Sequence, residues 1–200
     1  MAKIFKSVWF RCIAVLLALT VILGGTIAVL NFLWAVSPEE RTARAIKKIY
    51  GTEMDFTPVI DTDQEDQPII YYDQQGNELS RINKVYNVGS DVLCQAQGSQ
   101  GYKGGTITLW IKVVEKDNGN KTIDKVVLEN YEKQTLMSKL DGTFYSGFYV
   151  DITQAYNNGQ LFSPTDSDNN LTNPITGATK SANAACNAIN AVIKYVGGER

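Results

Sequence analysis

The apolar positions begin as one unbroken block. From Cys12 to Ser37 the run CIAVLLALTVILGGTIAVLNFLWAVS holds no charged residue. About 20 apolar residues cross a bilayer core as a helix, so this block is long enough to span with some tilt. Trp9 and Trp34 stand near its ends, where indole rings favour the membrane interface. Ala35-Val36-Ser37 has the small-x-small pattern of a signal-peptide cleavage site. The length of the block and the Pro38 that follows favour a retained anchor instead. Lys3, Lys6 and Arg11 flank one end, and Arg41, Arg44, Lys47 and Lys48 the other, so basic residues alone do not orient it. A short N-terminal tail stays inside, which places residues 1–11 in the cytoplasm, 12–37 in the membrane and the remainder outside.

Beyond the block the pattern changes period. Ser37 reads as an N-cap, Pro38 as the first helical residue and Glu40 as the far side of a capping box. Ala43, Ile46 and Tyr50 share one face and Gly51 stops the helix, so residues 38–51 form an amphipathic helix able to dock on a domain spanning 52–200. Residues 55–68 read as a polar loop. Asp61, Asp63 and Glu65 are similar to the start of a calcium loop, but Gln67 and Tyr72 sit where a ligand carbonyl and the closing glutamate belong, and the glycine is missing.

Strands are expected at Ile69–Tyr72 and Ser80–Val88, with a turn at Gln75-Gly76-Asn77 between them. Thr106–Val114 alternates best: Ile107, Leu109, Ile111 and Val113 face one way, Thr106, Thr108, Trp110 and Lys112 the other. Asp117-Asn118-Gly119 is a hairpin turn, and Thr122–Leu128 returns. A short helix is expected at Gln134–Leu140, an aromatic cluster at Phe144, Tyr145, Phe148 and Tyr149, and turns through 163–174. Ala185, Ile189, Val192 and Val196 mark a last helix over Ala182–Val196. Antiparallel hairpins with helices before, between and after them predict an α+β domain.

Composition narrows the chemistry. The chain has no histidine, which excludes Ser-His-Asp and Cys-His nucleophiles and histidine-bound metal or haem. Cys12, Cys94 and Cys186 form no C-x-x-C, so a self-contained four-cysteine centre is excluded too. Redox chemistry here requires an organic cofactor. Of 19 basic residues three fall in the first 38 positions, where no acid stands, so the remainder carries 16 against 21 acids, a net −5. That balance, without a basic stripe, speaks against nucleic acid.

Two segments carry candidate chemistry. Gly98-Ser99-Gln100-Gly101-Tyr102-Lys103-Gly104-Gly105 precedes the best strand; it is neither a Rossmann nor a Walker loop, and a tight bend into the strand is its plainest reading. Thr176-Gly177-Ala178-Thr179-Lys180-Ser181 precedes the last helix. Hydroxyls and a glycine-permitted backbone at a helix start suit an anion, and equally suit Thr179 or Ser181 as a simple N-cap.

The second segment resembles the S/T-G-A-T-x-S/T flavinylation motif of FMN-binding domains in the G subunit of Rnf electron-transport complexes, a motif shared by the C subunit of the sodium-translocating NADH:quinone oxidoreductase. The resemblance implies FMN bound through a phosphoester to the Thr179 hydroxyl, with Thr176, Gly177, Ala178 and Ser181 around it. The family's glycine loop before a strand is similar to residues 101–105, and its H-x-E-T-P-G-L-G segment falls on residues 130–137, where Glu132 and Leu136 match as flavin-facing residues. Asn130 stands for the histidine, the Thr-Pro-Gly triplet differs, and Asn173 replaces an upstream aspartate. The implied protein is a small α+β FMN-binding domain, its antiparallel sheet flanked by helices, tethered by one transmembrane helix to the outer face of the cell membrane. It implies a carrier rather than an enzyme alone: electrons pass through covalent FMN between other membrane subunits of an Rnf-type, ion-translocating ferredoxin:NAD oxidoreductase, after a flavin transferase has attached the cofactor. A stand-alone tethered FMN carrier, or an anchored structural or adhesion module, fits the same layout.

Overall fold

Alternation along the central strands decides the architecture. The computed structural model describes residues 8–34, 37–165 and 170–199. By internal contacts the chain divides into two units, Met1–Thr42 and Ala43–Arg200. The first contains helix α1 (Val8–Trp34), 27 residues long, which is long and apolar enough to cross a membrane. Helix α2 (Pro38–Tyr50) follows, and the Ser37 hydroxyl accepts from the Glu40 amide at 3.1 Å, as the capping sequence predicts.

The second unit is built on a six-stranded antiparallel sheet: β1 (Thr57–Asp61), β2 (Ile69–Tyr72), β3 (Glu78–Val88), β4 (Asp91–Gly98), β5 (Ile107–Glu115) and β6 (Lys121–Tyr131). The order is β1-β3-β4-β5-β6, with β2 pairing the other half of β3's free edge. Short helices α3 (Gly142–Ser146) and α4 (Ile152–Asn157) and a parallel pair, β7 (Phe162–Ser163) with β8 (Leu171–Thr172), lead to the long helix α5 (Thr179–Gly197). The α+β class and the antiparallel sheet flanked by helices are as the sequence predicts.

Period-two patterning puts Ile107, Leu109, Ile111 and Val113 of β5 into one core with Ala182, Ala185, Ile189 and Val192 of α5. Helix and sheet approach closely because Gly98 has no side chain: a Cβ there would lie 1.8 Å from the Ala184 carbonyl oxygen. Trp110 points to the opposite face, stacked on Tyr86 at 6.2 Å and packed with Leu93, Ile46 and Ile49. Lys125 donates to the Ile49 carbonyl at 2.7 Å, supplying a cation to the C-terminal end of α2.

The structure corrects several expected elements. Residues 57–61 of the supposed polar loop are strand β1; an edge position tolerates Pro58. Its acids bind no metal-like array: Asp61 accepts from the Tyr86 hydroxyl at 2.7 Å, and Lys84 pairs with both Asp61 and Asp63. Strand β4 is not among the expected strands because its core-facing positions are the small Cys94, Ala96 and Gly98 under α5, while Leu93 faces the opposite cluster, so its apolar alternation is faint. The helix expected over Gln134–Leu140 shrinks to a single 3₁₀ turn, Met137–Lys139, because Leu136 is left-handed at φ 58°. The last helix begins at Thr179, three residues before Ala182.

Candidate functional site

Helix α5 starts without a capping side chain. Ala178 is its N-cap, Thr179 and Lys180 are exposed, and Ser181 is buried one turn in. Neither the Thr179 nor the Ser181 hydroxyl caps the helix, contrary to the simpler expectation; both lie inside the first turn. The opening N–H groups therefore carry their positive end of the macrodipole with no side-chain acceptor. The turn before the helix is set by Gly177 at φ 81°, and Lys139 donates to the Thr176 carbonyl at 2.8 Å. A Cβ on residue 177 would lie 2.8 Å from that lysine nitrogen, the far end of a flexible side chain that can shift, so the positive φ is what selects glycine here.

The glycine loop forms the facing wall. Gly101 and Gly105 close it through Gly101 N–H to the Gly105 carbonyl at 2.9 Å. A Cβ on Gly105 would meet the Glu132 carbonyl at 2.1 Å, and one on Gly101 would meet Gln134 Nε2 at 2.4 Å. These glycines exist because the 132–134 segment lies directly on the loop, beyond the plain bend read from the sequence. Asn183 and Asn187 of α5 donate to the Gln100 and Ser99 carbonyls at 3.2 and 3.0 Å, tying helix to loop.

Between these parts lie two clefts that meet at Thr179 and Lys180. One, about 310 Å³, has Tyr102, Thr135 and Leu136 on one side and residues 177–181 on the other. The second, about 380 Å³, runs from Thr179 and Asn183 to Gln100, Ser163 and Thr165. Both volumes are within the range of small-molecule sites. Backbone strain gathers here as well. Among the described residues the non-glycine residues with positive φ are Glu65 and four around the clefts: Gln100, Lys103, Lys133 and Leu136. Such conformations persist where surrounding structure over-determines them, commonly at ligand sites. Lys103, Lys133, Lys139 and Lys180 are all exposed on these segments, a local basic cluster on an otherwise acidic domain.

The structure thus brings Gly177, Ala178, Thr179, Ser181 and Leu136 to one cleft; Thr176 sits in the adjoining turn. Leu136 is half exposed within it. Glu132 does not join them: its side chain is exposed and off the cleft lining, and its carbonyl is what the site uses. The aromatic cluster is likewise elsewhere. Phe144 and Phe148 are core rings, edge-to-face at 5.1 Å, with Phe162 4.9 Å from Phe148, while Tyr102 lines the cleft. Asn173 is buried and donates to the Phe144 carbonyl at 2.8 Å, a bond that an ionised aspartate could not make. Nothing in the sequence pattern marks Gln134 or Lys139, whose distant partners lie 32–47 residues away. No group of three or more Cys, Asp or Glu is placed to hold a metal among the described residues. No protein-family model, curated protein or solved structure matches this chain.

Proposed function

We propose that this protein is a membrane-anchored electron carrier with FMN joined to Thr179, serving as the extracytoplasmic flavin subunit of an Rnf-type ion-translocating complex. The observation that carries the reading is the position of Thr179: an exposed hydroxyl residue opening an uncapped 19-residue helix, on the lip shared by two clefts. The donor set suits the cofactor. First-turn N–H groups and Lys180 would hold a phosphate on Thr179, and Leu136 and Tyr102 would offer apolar surface to a flat ring. Gly177 keeps the approach open. Bound FMN would supply stepwise one- and two-electron transfer, which no side chain here can perform. Covalent attachment keeps the site filled where free FMN is too dilute to saturate it. Helix α1 serves as the retained anchor, and electrons enter and leave through other membrane subunits.

Coexpression with a flavin transferase tests the assignment. The wild-type chain should fluoresce as a flavin band after denaturing electrophoresis, and Thr179→Ala should be dark. A fluorescent Thr179→Ala band, or a colourless wild-type membrane fraction, overturns the reading and favours an anchored structural module. Copurifying redox subunits distinguish a complex from a stand-alone carrier.

A further inference from the structure

Gln134 is 9% exposed, lines neither cleft, and engages both ends of its amide. Its Oε1 accepts from the Tyr102 backbone N–H at 3.0 Å and from the Ser181 hydroxyl at 2.8 Å. Its Nε2 donates to the Glu132 carbonyl at 3.0 Å. The Tyr102 N–H can only donate and the Glu132 carbonyl only accept, which fixes the amide's orientation. One side chain thereby joins three segments: the glycine loop, the strained 132–136 wall and the first turn of α5. Each contributes to the first cleft, through Tyr102, Leu136 and Ser181. The space for Gln134 is cut into the glycine loop, since a Cβ on Gly101 or Gly105 would lie 2.4 or 2.6 Å from Nε2.

We propose that Gln134 is a positioning residue for the cofactor cleft, holding the Thr179 turn at a set distance from the Tyr102–Leu136 wall. The inference rests on the reading of Thr179 as the FMN site and adds the group that shapes that site. Glutamine meets the demand because its oxygen accepts two donors while its nitrogen supplies a third bond. Leucine fills similar space and offers none. Leaving the part-buried Tyr102 N–H unpaired would carry a desolvation penalty, which the loop would relieve by moving outward and widening the cleft.

The test uses the full chain, coexpressed with a flavin transferase, as wild type, Gln134→Leu, Gln134→Glu, Gln134→Asn and Thr179→Ala. Hydrogen exchange at the Tyr102 and Ala182 amides is followed on unflavinylated protein, beside the rate of flavin attachment and thermal unfolding. Gln134→Leu should speed exchange at Tyr102 and slow attachment by about tenfold or more, while unfolding stays cooperative. Gln134→Glu keeps both acceptor bonds but exchanges the Nε2 donor for an oxygen facing the Glu132 carbonyl, so it should slow attachment less than leucine without matching wild type. Gln134→Asn is one methylene shorter and should fall between them, which keeps the test open if the leucine variant does not fold. Wild-type exchange and attachment in Gln134→Leu or Gln134→Asn would overturn the proposal. If wild type takes no flavin, or Thr179→Ala keeps it, the FMN reading fails separately, and the two amides still decide whether Gln134 sets the turn.

Discussion

Ser181 and Thr179 stand two positions apart in one motif, yet the fold treats them differently. Thr179 is exposed at the helix start, whereas Ser181 is 3% exposed and bonded to Gln134. Ser181→Ala should therefore cost about 1 kcal/mol of stability by chemical denaturation and slow flavin attachment without abolishing it, unlike Thr179→Ala. Leu136→Ala should keep the flavin attached but raise its quenching by iodide, because an apolar wall is lost. Glu132→Gln should alter neither attachment nor potential, since that side chain is exposed and does not line the cleft. Burial pushes the thiols of Cys94 and Cys186 from 9.0 up to about 12. The unfolded chain ionises these thiols first, so their contribution is complete below pH 9 and is lost as pH rises toward 12. Burial raises Tyr145 in the same direction. The urea midpoint should accordingly fall across that alkaline window, and less steeply in Cys94→Ala.

At the scale of elements, the sheet and α5 depend on one another through small residues. Gly98→Val would drive a branched side chain into the Ala184 backbone, which cannot yield as a flexible side chain would, and should cost about 3 kcal/mol or more in denaturant unfolding. On the other face, Ile46→Ala removes a fully buried side chain of α2 and should cost about 2–5 kcal/mol. The legible elements are those whose two faces differ most in residue type. Strand β5 alternates because the helix-covered core takes Ile107, Leu109, Ile111 and Val113, and α5 shows its stripe for the same reason. Strand β4 is faint because its core-facing positions are Cys94, Ala96 and Gly98 rather than large aliphatics, and the Gln134–Leu140 segment has helical spacing while Leu136 adopts a left-handed conformation.

Across the whole molecule, one long apolar helix precedes an acidic α+β domain that carries a local lysine cluster at its candidate site. Reporter fusions after Tyr50 should report export, and the purified chain should retain its N-terminal peptide; a mature chain beginning at Pro38 would contradict retention of the anchor. What the sequence determined by itself is what local chemistry carries: the apolar block, the capped start of α2, the Asn118-Gly119 hairpin and the hydroxyl-rich turn before the last helix. Each is specified by residues within a few positions of one another. The tertiary structure alone decided that Leu136 shares a cleft with Thr179 while Glu132 does not, that Phe144, Tyr145 and Phe148 are core while Tyr149 is exposed, and that Gln134 bonds to three segments around the cleft. Those outcomes depend on contacts between residues tens of positions apart, and side-chain spacing along a chain holds no record of which distant backbone will lie against it.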